Sequence, residues 1–212
     1  MKSTYKTNLN LILIICFSCL FFMKCRYDNL PDNTDNTVIS MLIKLPSEFE
    51  RGNISFKDGR LLYDLIIQKG YNHGLEIGTS NGYSALWQGL AFKKTGGRLL
   101  TVEIDSIAAR EAQDNFIKAG LDDVIDLKID DAKHVLESTN EKYDFVFVDT
   151  GDSGMDFFGL TYPFLNNGGT IVIHNVNKKD PKLKAIMKNQ DLNVRIKSHL
   201  FYNVLICSKN QK

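Results

Sequence analysis

Leu75-Glu-Ile-Gly-Thr-Ser-Asn-Gly-Tyr-Ser84 is the stretch that decides how this chain folds. A short apolar strand, Gly74 to Ile77, breaks at Gly78 and resumes beyond Gly82 as a helix with Ala85, Leu86 and Leu90 at helical spacing. A strand that runs through a glycine-bearing turn into a helix is the first half of a βαβ unit. Glycine lets the backbone approach a ligand, and the N-terminus of a helix offers free N–H donors. Taken alone, the loop could equally be a plain tight turn.

Strand and helix patterns alternate on both sides of this stretch. Leu61, Leu62, Leu65 and Ile66 mark a preceding helix that Gly70 stops. Downstream, Leu99 to Ile104 is a strand, and Ser106 caps a helix to Ala119 that Gly120 ends. Val124 to Ile129 is a strand and Ala132 to Ser138 a short helix. Phe145-Val-Phe-Val148 is continuously apolar, as a central parallel strand buried on both faces must be. A helix over Asp156 to Tyr162, the turn Asn166-Asn-Gly-Gly169 and the strand Ile171 to Ile173 follow. Pro181 to Lys188 is helical, and Val194 to Lys197 and Leu200 to Ile206 are close enough to pair as a hairpin. The pattern predicts an α/β fold with a doubly wound, Rossmann-like, mostly parallel seven-stranded sheet and an antiparallel C-terminal hairpin. That domain is expected over 53–212.

The 212 residues suit one domain with a short appendage, and 43% apolar with 24% charged residues is ordinary for a folded domain. A net charge of +1 excludes a dedicated nucleic-acid binder, which needs a basic excess to neutralise phosphates. Lys178, Lys179, Lys182 and Lys184 read as the solvated face of a late helix. Cys16, Cys19 and Cys25 lie in or beside an N-terminal apolar segment and only Cys207 lies in the domain, so neither a disulfide framework nor a zinc site can be built.

Leu9 to Met23 is that apolar segment, with Lys2 and Lys6 ahead of it. Its length, about fifteen residues, is short of the roughly twenty a spanning helix needs. No small-x-small cleavage site follows, and Phe22-Met23-Lys24 before Cys25 is a poor acylation box. An uncleaved anchor and an atypical lipoprotein signal over 1–25 both remain open. Either predicts membrane contact through 9–23, and Lys24 with Arg26 on the far side leaves the orientation undecided. Arg26 to Thr37, rich in Asp and Asn, reads as a polar linker, with 26–52 as a lead-in.

Ligands of doubly wound sheets bind beyond the C-terminal ends of the strands. Here those ends carry Glu76-Ile-Gly78, Glu103, Asp130-Asp131, Asp149 and His174-Asn175. Five polar strand ends in succession are hard to explain as packing. A carboxylate at Glu103 can accept both hydroxyls of a ribose. A dinucleotide fingerprint needs a third glycine for the pyrophosphate, whereas this loop reads Gly-x-x-x-Gly with Glu76 ahead of it. That disfavours a nicotinamide-dependent oxidoreductase and favours S-adenosylmethionine, which has no pyrophosphate.

Leu75 to Ser84, Thr101-Val-Glu-Ile-Asp105, Asp130-Asp-Ala132, Tyr143-Asp-Phe-Val-Phe-Val-Asp149 and Gly168-Gly-Thr-Ile-Val-Ile-His-Asn-Val176 resemble the successive motifs of class I S-adenosylmethionine-dependent O-methyltransferases. The likeness is to the catechol and caffeoyl-coenzyme A types and their bacterial relatives. Asn53 to Leu62 resembles the short helix with which that family covers its cofactor. The resemblance implies methyl transfer to a small hydroxylated acceptor, with homodimerisation as a family habit. It implies that Gly78 and Ser84 contact the methionine portion, that Ile54 or Ser55 closes over it, and that Glu76 and Gly82 also belong to the cofactor-binding set. It further implies Glu103 at the ribose, Asp131 with Ala132 at the adenine, and Asp149 near the sulfonium.

Metal-dependent members pair that aspartate with Asp-Asn on the fifth strand and place a lysine three residues beyond it. This chain has His174-Asn175 and Asp152 instead. Three readings follow: Asp149, His174 and Asn175 hold a divalent metal that accepts nitrogen; His174 is the general base beside Asp149; or His174 only hydrogen-bonds at a strand end. The departures also allow a membrane-tethered domain that binds the cofactor and has lost turnover. His73 and His134 have no assigned role, and Trp87, Phe92 and Phe116 read as core.

Overall fold

In the computed structural model, which describes residues 36–45, 52–151 and 154–211, the strand from the opening stretch sits at the middle of the molecule. The apolar segment Leu9–Met23, its three cysteines, most of the expected linker and Asp152 lie outside the described residues. Among the described residues no helix is long and apolar enough to cross a membrane.

The elements run α1 (Asn36–Lys44), α2 (Phe56–Lys69), β1 (His73–Ile77), α3 (Tyr83–Thr95), β2 (Arg98–Glu103), α4 (Ser106–Ala119), β3 (Ile125–Ile129), α5 (Ala132–Ser138) and β4 (Tyr143–Val148). Then come α6 (Gly154–Thr161), a 3₁₀ turn (Tyr162–Phe164), β5 (Leu165–Ile173), α7 (Pro181–Met187), β6 (Leu192–Ser198) and β7 (Asn203–Lys209). The sheet order is β3-β2-β1-β4-β5-β7-β6, parallel from β3 to β5 and antiparallel at β7 and β6. This is the expected seven-stranded, Rossmann-like sheet with its closing hairpin. The order reverses between β1 and β4, which places a crevice at their C-terminal ends.

Burial explains the strand patterns. In β4, Phe145 to Val148 are all 1% exposed or less, because helices cover both faces of a central parallel strand. Trp87, Phe92 and Phe116 are fully buried, as their helical spacing suggests.

Three details depart from the sequence expectation. The lead-in contains α1, whose Val38 and Leu42, four residues apart, are buried; residues 37–212 form one unit. Asp and Asn upstream concealed that short apolar face. The cap of α4 is Asp105 and not Ser106, since the Asp105 carboxylate accepts the Ile107 N–H at 2.8 Å. The turn Asn166 to Gly169 lies inside β5, where the pairing jumps from Tyr143↔Leu165 to Phe145↔Thr170, so a bulge absorbs it and the strand starts earlier.

Candidate functional site

Gly78 ends β1 with φ +92°, and a Cβ there would overlap the carbonyl oxygen of Asp149 at the end of β4. Gly82 has φ +87°, and a Cβ there would come within 2.6 Å of the Phe116 ring. Both glycines of the loop are thus demanded by packing against the protein itself. Asn81, fully buried between them, accepts at its backbone carbonyl a bond from Asn115 Nδ2 at 2.9 Å, tying the loop to α4.

The crevice beside this loop has a volume of about 440 Å³. Gly78, Glu103, Asp131, Ala132 and Asp149 line it together, with Phe157 of α6 closing one side. Glu103 enters from the end of β2 and is fixed by two backbone donors: Ser80 N–H at 2.8 Å and Asp105 N–H at 2.9 Å. Asp131 caps α5 by accepting the Lys133 N–H at 2.8 Å. Asp130 on the rim pairs with His134 at 3.0 Å, which supplies the partner the sequence did not reveal. A larger cavity of about 620 Å³ opens at the other end of the sheet, around Tyr71, Asp144 and Arg195, far from the strand ends that carry the acidic residues.

Other candidates lie away from the crevice. Glu76 is fully buried and points into the sheet, where Gln88 Nε2 and Thr101 Oγ1 each donate to it at 2.6 Å. Burial raises its pKa to about 7 against the lowering effect of those bonds. It supports the loop from beneath. Ser84 is buried in the first turn of α3. Ile54 is buried, and Ser55 caps α2, its hydroxyl donating to Asp58 at 2.6 Å.

His174 and Asn175 follow β5. His174 is buried, its Nδ1 3.3 Å from Asp149 Oδ1 and its Nε2 3.9 Å from Asp58 Oδ2. Burial disfavours a charged ring, but the bond to Asp149 and the fields of both carboxylates outweigh it and raise the pKa to about 9. Asn175 is exposed, with φ +58°. This set does not fit a divalent cation. Each His174 nitrogen already faces a carboxylate, and Asn175, the third member of the expected set, is exposed and apart from them. Among the described residues no group of three His, Cys, Asp or Glu side chains could hold a metal ion.

Sequence reasoning missed the other side of His174. Asp58, 2% exposed, accepts a hydrogen bond from Tyr202 Oη and lies 3.2 Å from His199 Nε2. The Tyr202 ring packs on His174 at 4.8 Å and on His199 at 4.5 Å. Burial would raise the Asp58 carboxyl, but the His174 ring beside it, bonds from Ser55 and Tyr202, and the field of His199 hold it far below the usual carboxylate range. No sequence signal marks these partners, since Asp58 and Tyr202 are 144 positions apart.

The fold and crevice define an α/β protein with a pocket at a topological switch point. The chain belongs to the O-methyltransferase family, whose model matches residues 36–200. The O-methyltransferase imqG of Aspergillus flavus is 28% identical over 135 residues, 59% of this chain and 54% of that protein. A catechol O-methyltransferase of Niastella koreensis is 30% identical over 113 residues, 51% of each chain. The match thus spans about half the length of these curated relatives. Among solved structures, the O-methyltransferase from Bacillus cereus in complex with SAH has a TM-score of 0.74 at 20% identity, covering 89% of this chain and 97% of that one. TomG from Streptomyces achromogenes, in complex with SAM, has a TM-score of 0.73 at 20% identity, covering 87% and 93%. At that identity these two establish the shared fold.

Proposed function

We propose that this protein transfers the methyl group of S-adenosylmethionine to a hydroxyl of a small acceptor. The observation that carries this reading is the convergence of Gly78, Glu103, Asp131, Ala132 and Asp149 on one crevice. Their chemistry suits the cofactor portion by portion. Glu103, held by two backbone donors, still has lone pairs for ribose hydroxyls. Asp131 and Ala132 flank the space for an adenine, and Asp149 supplies negative charge for a sulfonium. When bound, S-adenosylmethionine supplies an activated methyl group open to in-line displacement.

The chain's own part is to orient the acceptor, exclude water and receive its proton. His174 beside Asp149 is the base in this reading. Its raised pKa keeps the ring charged at neutral pH while Asp149 and Asp58 are both bare carboxylates beside it. A positive charge held by Asp149 would offset one of those fields and let the His174 imidazole lose its proton closer to neutral pH. The names of the Niastella koreensis and Aspergillus flavus relatives support an acceptor hydroxyl.

Saturable S-adenosylmethionine binding, measured by calorimetry and weakened at least about tenfold by Glu103→Ala, is expected from the loss of a charge-assisted hydrogen bond. An unchanged affinity would sink the assignment. The apolar Leu9–Met23 segment supports membrane association, and dependence on a cytoplasmic methyl donor favours a cytoplasm-facing domain. A reporter fused to the C-terminus that is active only outside the cytoplasm would count against both statements about orientation and activity.

A further inference from the structure

The β6–β7 turn, His199 to Tyr202, stands at the C-terminal edge of the sheet, because β6 runs antiparallel to β7 and so shares the direction of β5. The turn is anchored at both ends. On one side His199 Nε2 lies 3.2 Å from Asp58 Oδ1 at the start of α2; on the other Tyr202 bonds Asp58, and Asn203 exchanges two bonds with Val176, whose N–H donates to the Asn203 carbonyl at 2.9 Å and whose carbonyl accepts from Asn203 Nδ2 at 3.1 Å. Between the anchors, Leu200 and Phe201 are thrust outward, 87% and 90% exposed. Neighbouring large apolar side chains held in water on a turn fixed at both sides serve no packing purpose within the domain.

The surroundings of this tip are basic. Lys57 is exposed next to Asp58, and Lys178 and Lys179 are exposed just beyond Val176, so three lysines lie within three positions of residues that anchor the turn. Among the described residues none of the three forms an ion pair, whereas Lys182 on α7 pairs with Asp156. An apolar tip with a basic collar is the chemistry of the lipid–water interface, where the side chains enter the acyl boundary and the ammonium groups meet anionic headgroups.

We propose that Leu200 and Phe201 insert into the surface of an anionic bilayer, with Lys57, Lys178 and Lys179 as the headgroup contact. The chain itself carries the apolar segment Leu9–Met23. A surface to which a domain is tethered through its own chain is met at high effective concentration, and a contact too weak to hold a free protein is enough to fix the orientation of a tethered one. The contact turns the strand-end edge, with the His174 cluster, toward the membrane. This inference concerns a surface and stands apart from methyl transfer.

The test uses the full chain with Phe201→Trp, reconstituted with vesicles of phosphatidylglycerol and phosphatidylcholine. The native Trp87 is fully buried, so the wild-type spectrum serves as baseline. Expected are a blue shift of the added indole emission and loss of intensity when the acyl chains are brominated. The effect weakens several-fold on pure phosphatidylcholine or with Lys178→Glu and Lys179→Glu. Water-like emission that aqueous acrylamide quenches equally with and without vesicles overturns the proposal. So does a blue shift that follows protein concentration in detergent without lipid, which would make the tip a contact between copies. A shift of equal size on neutral and anionic vesicles overturns the lysine collar. Cofactor affinity, measured separately, reports on the methyltransferase reading alone.

Discussion

The backbone of Gly78 passes so close to the carbonyl oxygen of Asp149 that no Cβ fits between them. The neighbour is main chain at the end of a central strand, so it cannot rotate away. Gly78→Ala therefore has to part β1 from β4 where the crevice begins. A left-handed backbone costs a non-glycine residue about 1–2 kcal/mol, and the overlap adds to it. We expect a loss of at least about 2 kcal/mol in denaturant unfolding, accompanied by weaker cofactor binding. Wild-type stability in this variant would mean the loop is looser than its packing implies.

Glu76 makes stability depend on pH in a defined window. Its pKa is raised to about 7 from 4.5, so the folded protein holds a proton that the unfolded chain has lost between those values. Stability then falls as pH rises from about 4.5 to 7 and is level with respect to this group above it. The span corresponds to about 3 kcal/mol. Glu76→Gln removes the group, so the stability difference between variant and wild type should grow in the variant's favour across that window. Parallel urea curves at pH 5 and pH 7.5 check it; a constant difference rules the buried acid out as the cause.

For His174 the window lies higher. The folded pKa, about 9, exceeds the ordinary histidine value of 6.5, so its contribution is complete below 6.5 and lost as pH rises toward 9. Thermal melts of wild type should fall through that range while those of His174→Gln stay flat there.

The same residue predicts a kinetic signature. If it takes the acceptor proton, kcat/KM rises with pH and levels off near the free protein's value. The kcat profile is displaced to lower pH, since a positive charge held by Asp149 offsets its field. His174→Gln should abolish the rise. A profile that His174→Gln leaves intact assigns the proton to another group.

Asp58 and Tyr202 should be coupled in stability. Asp58→Asn and Tyr202→Phe each break a bond between α2 and the β6–β7 turn, and the double variant should lose less than the two losses added. A double-mutant cycle by chemical unfolding should give an interaction of about 1–3 kcal/mol. Strict additivity would show that the turn is not fastened to α2 through this bond.

The glycine loop, the alternating strands and the closing hairpin were legible because each rests on short-range pattern: period two, period 3.6, or a residue type at a strand end. So were Gly78, Glu103, Asp131, Ala132 and Asp149, since topology alone sends every parallel strand's C-terminal end to one edge. α1 was not legible, because a nine-residue helix with two buried positions is hidden by the polar residues before it. Glu76 was assigned to the ligand and lies in the sheet interior. The strand period fixes that Glu76 alternates with Leu75 and Ile77, and both faces of a central strand are covered.

What the sequence determined by itself is the sheet and the crevice at its strand ends. What only the tertiary structure decided is the environment of His174. Its contacts with Asp149, Asp58 and the Tyr202 ring join β4, α2 and the β6–β7 turn, segments that meet only when the sheet is complete. Charge and pKa depend on distance in space and on burial, and neither is written in the order of residues along the chain.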